Sequence, residues 1–403
     1  MGGLRLGFGL GVDRLFGGGG AAITQGLAAN RGYLPTRTLT AATLTFRSEH
    51  WASPQGAISQ LRPMWCGIYY HASTLVLTAA PANHTIEASI EYPAGTFTRI
   101  TFGGANQGVV PVDGVLTAGA VNLTIPAGTR FWVRTYVVSV ASGTAVPCSQ
   151  LPGLPNTTGI TDGAIAGNSV MSGTINPSIS GNTHGPFAIM GTIAAANARS
   201  WALLGDSVMW GANDDAGKGA AGGAGAFARA LDPLYPWVNF ARGSGLATYF
   251  DNSFTRLTTL RNAMEAYGGI TDVMSNYGIN DLKTGSTVTE VKAAITAIFG
   301  QFAGKRTYQL TLGPRTTSAT NDWTVTPGDQ VPRTDGHWPD MPTFNGDVRA
   351  VLSGATGYVE AGDLCQSSRD SGYWAAHSPS WTADGTHLST PGAAGVAALL
   401  AIP

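Results

Sequence analysis

From residue 199 onward the chain alternates short apolar runs with segments of helical period, and this pattern most narrows what it can fold into. SWALLG (200–205), WVNFA (237–241), DVMSNYG (272–278), YQLTLG (308–313) and GYVEAG (357–362) have the length and apolar content of buried strands. Helix candidates lie between and after them, at about 217–231, 252–267, 288–302, 344–353 and 388–401. Strand then helix, repeated, predicts an α/β unit around a parallel sheet. One interruption, 314–342, has little apolar content and is too long for a plain connection, as expected of an insertion that shapes a cleft.

The first half has a different texture. Between about 40 and 145, TLVLTA, HTIEASIEY, FTRITF, AVNLTI and RFWVRTYVVSV are short alternating runs separated by Gly, Pro and Asn, the pattern of an antiparallel β-sandwich or jelly roll. Residues 146–198 are rich in Gly, Ser, Asn, Thr and Pro, and fit either a long ordered connection or the last strands of that sandwich. The first 35 residues are Gly-rich without a sustained period, which suits an arm, a candidate attachment segment, better than a core element. A chain of 403 residues accommodates two or three units. The expected division is an arm at 1–35, a β-sandwich at 36–198 and the α/β unit at 199–403.

Composition excludes several partners. A net charge of -1 with 12% charged residues provides no basic field for nucleic acid or an anionic membrane. No run reaches the roughly 20 apolar residues of a membrane-spanning helix. The start, MGGLRLGFGLGVDRLFGGGG, does not read as a signal peptide, because glycines interrupt its apolar residues and no cleavage site follows. Abundant glycine (55 residues) with few charges points to an extracellular or particle-associated (virion-like) protein. Of Cys66, Cys148 and Cys365, only the first two share an expected unit, where a disulfide or two free buried thiols fit equally. None sits in a CxxC or Cys/His cluster, so no metal site is expected.

A serine hydroxyl becomes a nucleophile only when a base takes its proton, and the oxyanion it creates needs donors already in place. The α/β half has residues for each task. Ser207 follows the strand ALLG in LLGDSVMWG, at the sheet edge where open α/β folds place their sites. YGIND follows the 272–278 strand and offers Gly278 for close backbone approach and Asn280 as an amide donor. ADGTHLS puts Asp384 three residues before His387, a spacing that lets the carboxylate reach back and fix the imidazole tautomer. Trp210 suits stacking on a sugar ring and core filling equally; His377 in YWAAHSPSW suits a cleft wall or a plain loop. Asp335, His337 and Asp340 in TDGHWPD match no metal-ligand spacing well and read as cleft loop.

In this order the segments resemble the SGNH (GDSL) hydrolase family, whose blocks run Ser, Gly, Asn, His. GDS at 205–207, GxND at 278–281 and DxxH at 384–387 carry the resemblance, which covers 199–403. Block II is the imperfect match: NFARGSG offers Gly243 and Gly245, and Gly243 is chosen on its spacing from Asn239. The resemblance implies a flavodoxin-like α/β domain, with Ser207 as nucleophile, His387 as general base and then acid, and Asp384 orienting it. It also implies an oxyanion hole from Ser207, Gly243 and Asn280, a structural Asp206, and no cofactor. Trp210, Gly278 and His377 are the substrate-binding candidates.

The function these expectations describe is a serine esterase, with an O-acetylated polysaccharide as favoured substrate because a jelly-roll-like domain beside an SGNH unit resembles carbohydrate-active esterases. The alternative is a glycan-binding or structural spike or fibre protein of a phage-like particle, whose SGNH domain holds or trims a surface polysaccharide. Either is compatible with a homo-oligomer or with attachment to a larger particle through the N-terminal arm.

Overall fold

The computed structural model describes residues 22–40, 43–71, 73–140, 145–150, 162–176, 182–214 and 222–403. Six strands form a parallel sheet: β1 (Gly32–Tyr33), β2 (Trp201–Leu204), β3 (Trp237–Asn239), β4 (Asp272–Ser275), β5 (Arg306–Leu310) and β6 (Gly357–Val359), in the order β1-β3-β2-β4-β5-β6. Apart from β1 this is the flavodoxin-like order, which reverses direction at β2 and opens a crevice beyond the strands' carboxyl ends. The helices are α1 (Ser207–Trp210), α2 (Ala226–Leu231), α3 (Phe254–Glu265), α4 (Ile279–Lys283), α5 (Val288–Gly300), α6 (Met341–Arg349), α7 (Gly362–Cys365) and α8 (Thr390–Leu399). Strands β2, β3 and β4 are buried at every residue, consistent with their apolar runs. Helix α5 starts on a full capping box: Thr287 Oγ1 accepts from Glu290 N–H, and the Glu290 carboxylate accepts from Thr287 N–H.

The first half carries two large antiparallel sheets, with a three-stranded sheet (Asn182–Thr183, Val146–Gln150, Arg37–Leu39) and a two-stranded one (Ile68–Tyr70, Leu77–Ala79) beside them. One large sheet has the order Thr24–Leu27, Ala188–Ile193, Ile58–Cys66, Val115–Thr117; the other runs Gln107–Val110, His84–Glu91, Arg130–Val140, Leu44–Trp51, Gly163–Ala166, with Phe97–Ile100 also paired to His84–Glu91. Leu61, Trp65 and Ile189 from the first sheet meet Ile86, Ile90, Phe131 and Val133 from the second in one core. On the opposite face of Arg130–Val140, Arg134 and Arg47 share Glu91, so the buried charges are paired. Further Arg134 N–H groups donate to the carbonyls of Ser169, Ser172 and Gly173, closing the 162–176 segment over that face.

The structure departs from expectation in two places and resolves one open alternative. Residues 24–27 and 32–33 are strands, and β1 is the edge of the parallel sheet, so the expected arm cannot extend to 35; residues 1–21 lie outside those described. The run AVNLTI makes only isolated bridges, Val121 to Leu61 and Ile125 to Ile58, instead of a strand. Within 146–198 the described residues add strands at Val146–Gln150, Gly163–Ala166, Asn182–Thr183 and Ala188–Ile193, so they complete sheets. Cys66, Cys148 and Cys365 are buried free thiols, each pushed up to about 12 by burial. Both halves contribute to one core, in which Leu27, Met64, Tyr70 and Phe187 pack with Leu204, Phe240, Tyr277 and Leu312. Among the described residues no helix is long and apolar enough to cross a membrane.

Candidate active site

Strand β2 ends at Leu204, and the next three residues turn the chain into α1. Gly205 has φ 152, and a Cβ there would overlap Asn276 Oδ1, so the turn needs glycine. Asp206 caps α1, its Oδ1 accepting from Val208 N–H at 2.9 Å. Asn276, just past β4, holds this turn from the neighbouring strand: its Nδ2 donates to Asp206 Oδ1 (2.8 Å) and its Oδ1 accepts from Asp206 N–H (3.1 Å). Asp206 is fully buried and its Oδ2 has no hydrogen-bond partner. Burial pushes its carboxyl up to about 6, against the opposing pull of the Val208 and Asn276 donors. Ser207 is thereby set at the first turn of α1, partly exposed at the sheet's carboxyl edge.

The Asp384–His387 loop arrives from the other end of the sequence. The ring Nδ1–H donates to Asp384 Oδ2 (2.6 Å), which leaves Nε2 to accept from Ser207 Oγ–H at 2.7 Å. Asp384 Oδ1 also accepts from the backbone N–H of Thr386 (2.9 Å) and His387 (2.8 Å), and Asn213 Nδ2 donates to Oδ2 (3.0 Å). Partial burial works against its ionisation, but these donors prevail and hold the carboxyl well below the usual carboxylate range. The loop itself is clamped through Gly385, whose carbonyl accepts from Thr316 N–H (2.9 Å) and Trp374 Nε1–H (3.0 Å). Thr382 Oγ1 accepts from Gly385 N–H and donates to the His387 carbonyl. Thr316 belongs to a hairpin, Thr316–Ser318 with Gln330–Pro332, inside the 314–342 insertion, so this insertion buttresses the histidine loop.

Asn280 and Asp281 at the start of α4 fasten the segment after β3. Asn280 Nδ2 donates to Gly245 O (3.2 Å), and Asp281 accepts from the N–H groups of Ala247 and Thr248 and from Thr248 Oγ1. Gly245 N–H is taken by Arg242 O (3.0 Å), while Gly243 N–H has no partner among the described residues and a Cβ there would meet open space. Gly278 has φ 135, and the side on which a Cβ would stand faces Leu312 and Phe344, so glycine is a packing requirement. Trp210 is half-buried against the core containing Trp201 and Met209. His377 stacks on Trp381, ring centroids 3.6 Å apart and nearly parallel. In TDGHWPD the acids diverge, Asp335 to Arg315 (3.2 Å) and Asp340 to His337 (2.9 Å), and among the described residues no three metal-ligating side chains converge.

The structure thus brings Ser207, His387 and Asp384 into one relay, with Asn280 and Gly243 in the two loops that follow the flanking strands. Such a relay can deprotonate a hydroxyl at neutral pH without building an unpaired charge. Sequence reasoning missed Asn276, Asn213, Thr382 and Trp374. Only Asn276 carried a signal, as a second asparagine four residues before Asn280.

No family model and no curated protein matches this chain. Among solved structures it is similar to a peptidoglycan O-acetylesterase, at TM-score 0.36 and 12% identity over 94% of this chain and 75% of the other. It is also similar to a GDSL-like lipase from Bacteroides thetaiotaomicron, at TM-score 0.32 and 11% identity over 50% and 85% of the two chains. The psychrotrophic esterase EstA from Pseudoalteromonas sp. matches at TM-score 0.32 and 14% identity, over 50% and 93%.

Proposed function

We propose that this chain is a serine esterase of the SGNH/GDSL type that removes O-acetyl groups from a polysaccharide. Ser207 attacks the ester carbonyl as His387 Nε2 takes its proton, and the imidazolium, steadied by Asp384, returns that proton to the leaving alcohol. Water, activated by the same histidine, then releases the acyl group. The oxyanion is received by the N–H groups of Ser207 and Gly243 and by Asn280, whose amide keeps one hydrogen beyond the bond to Gly245.

The observation that carries this reading is the unbroken relay from Ser207 Oγ through His387 to Asp384, at 2.7 and 2.6 Å. A polysaccharide is favoured by the antiparallel β half, whose two large sheets are read as a jelly-roll-like module and which shares a core with the α/β half. An extracellular or particle-borne setting belongs to the same proposal, supported by the glycine-rich, weakly charged composition. The test compares wild type with Ser207→Ala for acetate release from acetylated xylan and turnover of p-nitrophenyl acetate. Loss of at least about 1,000-fold in the variant is expected. A wild type no faster than the variant on any ester would sink the proposal.

A further inference from the structure

Arg242 stands next to Gly243 in the loop after β3, and its backbone is tied to the nucleophile turn: its N–H donates to Gly205 O (3.1 Å) and its carbonyl accepts from Gly245 N–H (3.0 Å). The guanidinium is half-buried, 5.8 Å from the ring centroid of Tyr70, whose hydroxyl meets that of Tyr277 at 3.5 Å. Buried arginines elsewhere have acids to answer them: Arg31 has Asp162, Arg134 has Glu91, Arg229 has Asp214 and Arg315 has Asp335. Arg242 has no acidic partner among the described residues, and its Nη1 is shut off from water with no hydrogen bond. Leaving such a group unpaired costs free energy, and the rest of the half-buried guanidinium also lacks a counter-charge among the described residues. Burial lowers its affinity for the proton, with only the Tyr70 hydroxyl working the other way, consistent with no carboxylate being near. A Cβ at the neighbouring Gly243 would meet nothing within 4 Å, so the backbone beside Arg242 is uncrowded.

We infer that Arg242 makes this site selective for an anionic glycan, its planar donor fork receiving a carboxylate or phosphate group of the polymer that bears the ester. A guanidinium matches both oxyanions in two-pronged geometry, whereas a neutral polymer leaves its donors unanswered. The inference rests on the esterase reading for its substrate, yet binding can be measured without turnover.

The experiment titrates the Ser207→Ala protein calorimetrically with three probes: oligogalacturonate for carboxylate, phosphomannan for phosphodiester, and xylo-oligosaccharide as the neutral control. At least one anionic probe should bind about 10-fold or more tightly than the neutral one, with the advantage shrinking as salt rises. Adding Arg242→Gln should abolish the preference, and Arg242→Lys should keep part of it. Equal binding of all three probes by the Ser207→Ala protein, or a preference that survives Arg242→Gln, overturns the inference. The first of those outcomes needs no Arg242 variant and so holds even if a variant fails to fold. Turnover of p-nitrophenyl acetate by wild type decides the esterase reading separately.

Discussion

Asp206 is the group whose replacement tests the electrostatics of this site most sharply. Its carboxylate is wholly buried, one oxygen has no partner, and burial lifts its carboxyl from the ordinary 3.8 to about 6. The sign follows from linkage. A carboxyl whose folded pKa is raised binds its proton more tightly in the folded state, so it favours folding at low pH and opposes it once both states are ionised. Between those limits the shift is worth about 3 kcal/mol, at about 1.4 kcal/mol per pKa unit. Asp206→Asn keeps an oxygen for Val208 N–H and Asn276 Nδ2 while removing the charge. An amide nitrogen then replaces the unpaired oxygen, returning part of the gain, so the variant should be about 1–3 kcal/mol more stable than wild type at pH 8. That advantage should shrink through pH 6 and vanish near pH 4.

The assay is urea unfolding of both proteins from pH 4 to 8, read as the difference between their extrapolated stabilities. Taking the difference cancels every other titrating group that the substitution leaves alone. A difference that is flat with pH, or a variant less stable at pH 8, would refute the reasoning. Ester turnover should fall in the same variant, because the buried negative charge close to His387 favours the imidazolium that forms during attack. More stability with less activity would mark Asp206 as a site where the fold accepts strain for chemistry.

Three further outcomes are expected. Asp384→Asn should lower kcat/KM for p-nitrophenyl acetate by about 100- to 10,000-fold through loss of the charge partner and the correct tautomer, and a loss below fivefold would remove Asp384 from the relay. Gly385→Ala puts a Cβ onto the Thr316 carbonyl at φ 73, so thermal unfolding should show a loss of about 1–3 kcal/mol and turnover should fall as the histidine loop shifts; unchanged values would contradict the clamp. His50, His84 and His184 are held neutral by burial, their imidazoles lowered to about 4, 3 and 4. Unfolding exposes sites that take up protons below about pH 6.5, so stability should fall from there toward pH 4 by a few kcal/mol per histidine, and proton uptake on unfolding at pH 5 should be measurable; its absence would count against the buried neutral assignment.

How much was legible in the sequence depended on whether the partners lay close together in the chain. Asp384 and His387 share one loop, and their pairing could be read from a three-residue spacing. The order of β2 to β6 was legible because each strand is an apolar run bounded by turn residues and followed by a helix. Strand β1 was not, since two residues between Arg31 and Leu34 carry no period, and their place is set by pairing with Val238 and Asn239. AVNLTI shows the opposite error: alternation is present, but only Val121 and Ile125 meet a partner strand, so no ladder forms. The Asp206–Asn276 clasp was illegible for a related reason. Parallel pairing sets Leu204 beside Ser275, so Gly205 and Asn276 emerge together at the sheet edge, and the chain must dispense with a side chain on one to admit the amide of the other. GDS therefore encodes only half of its own geometry: the glycine is required by an asparagine seventy-one residues away, and the aspartate is held by it.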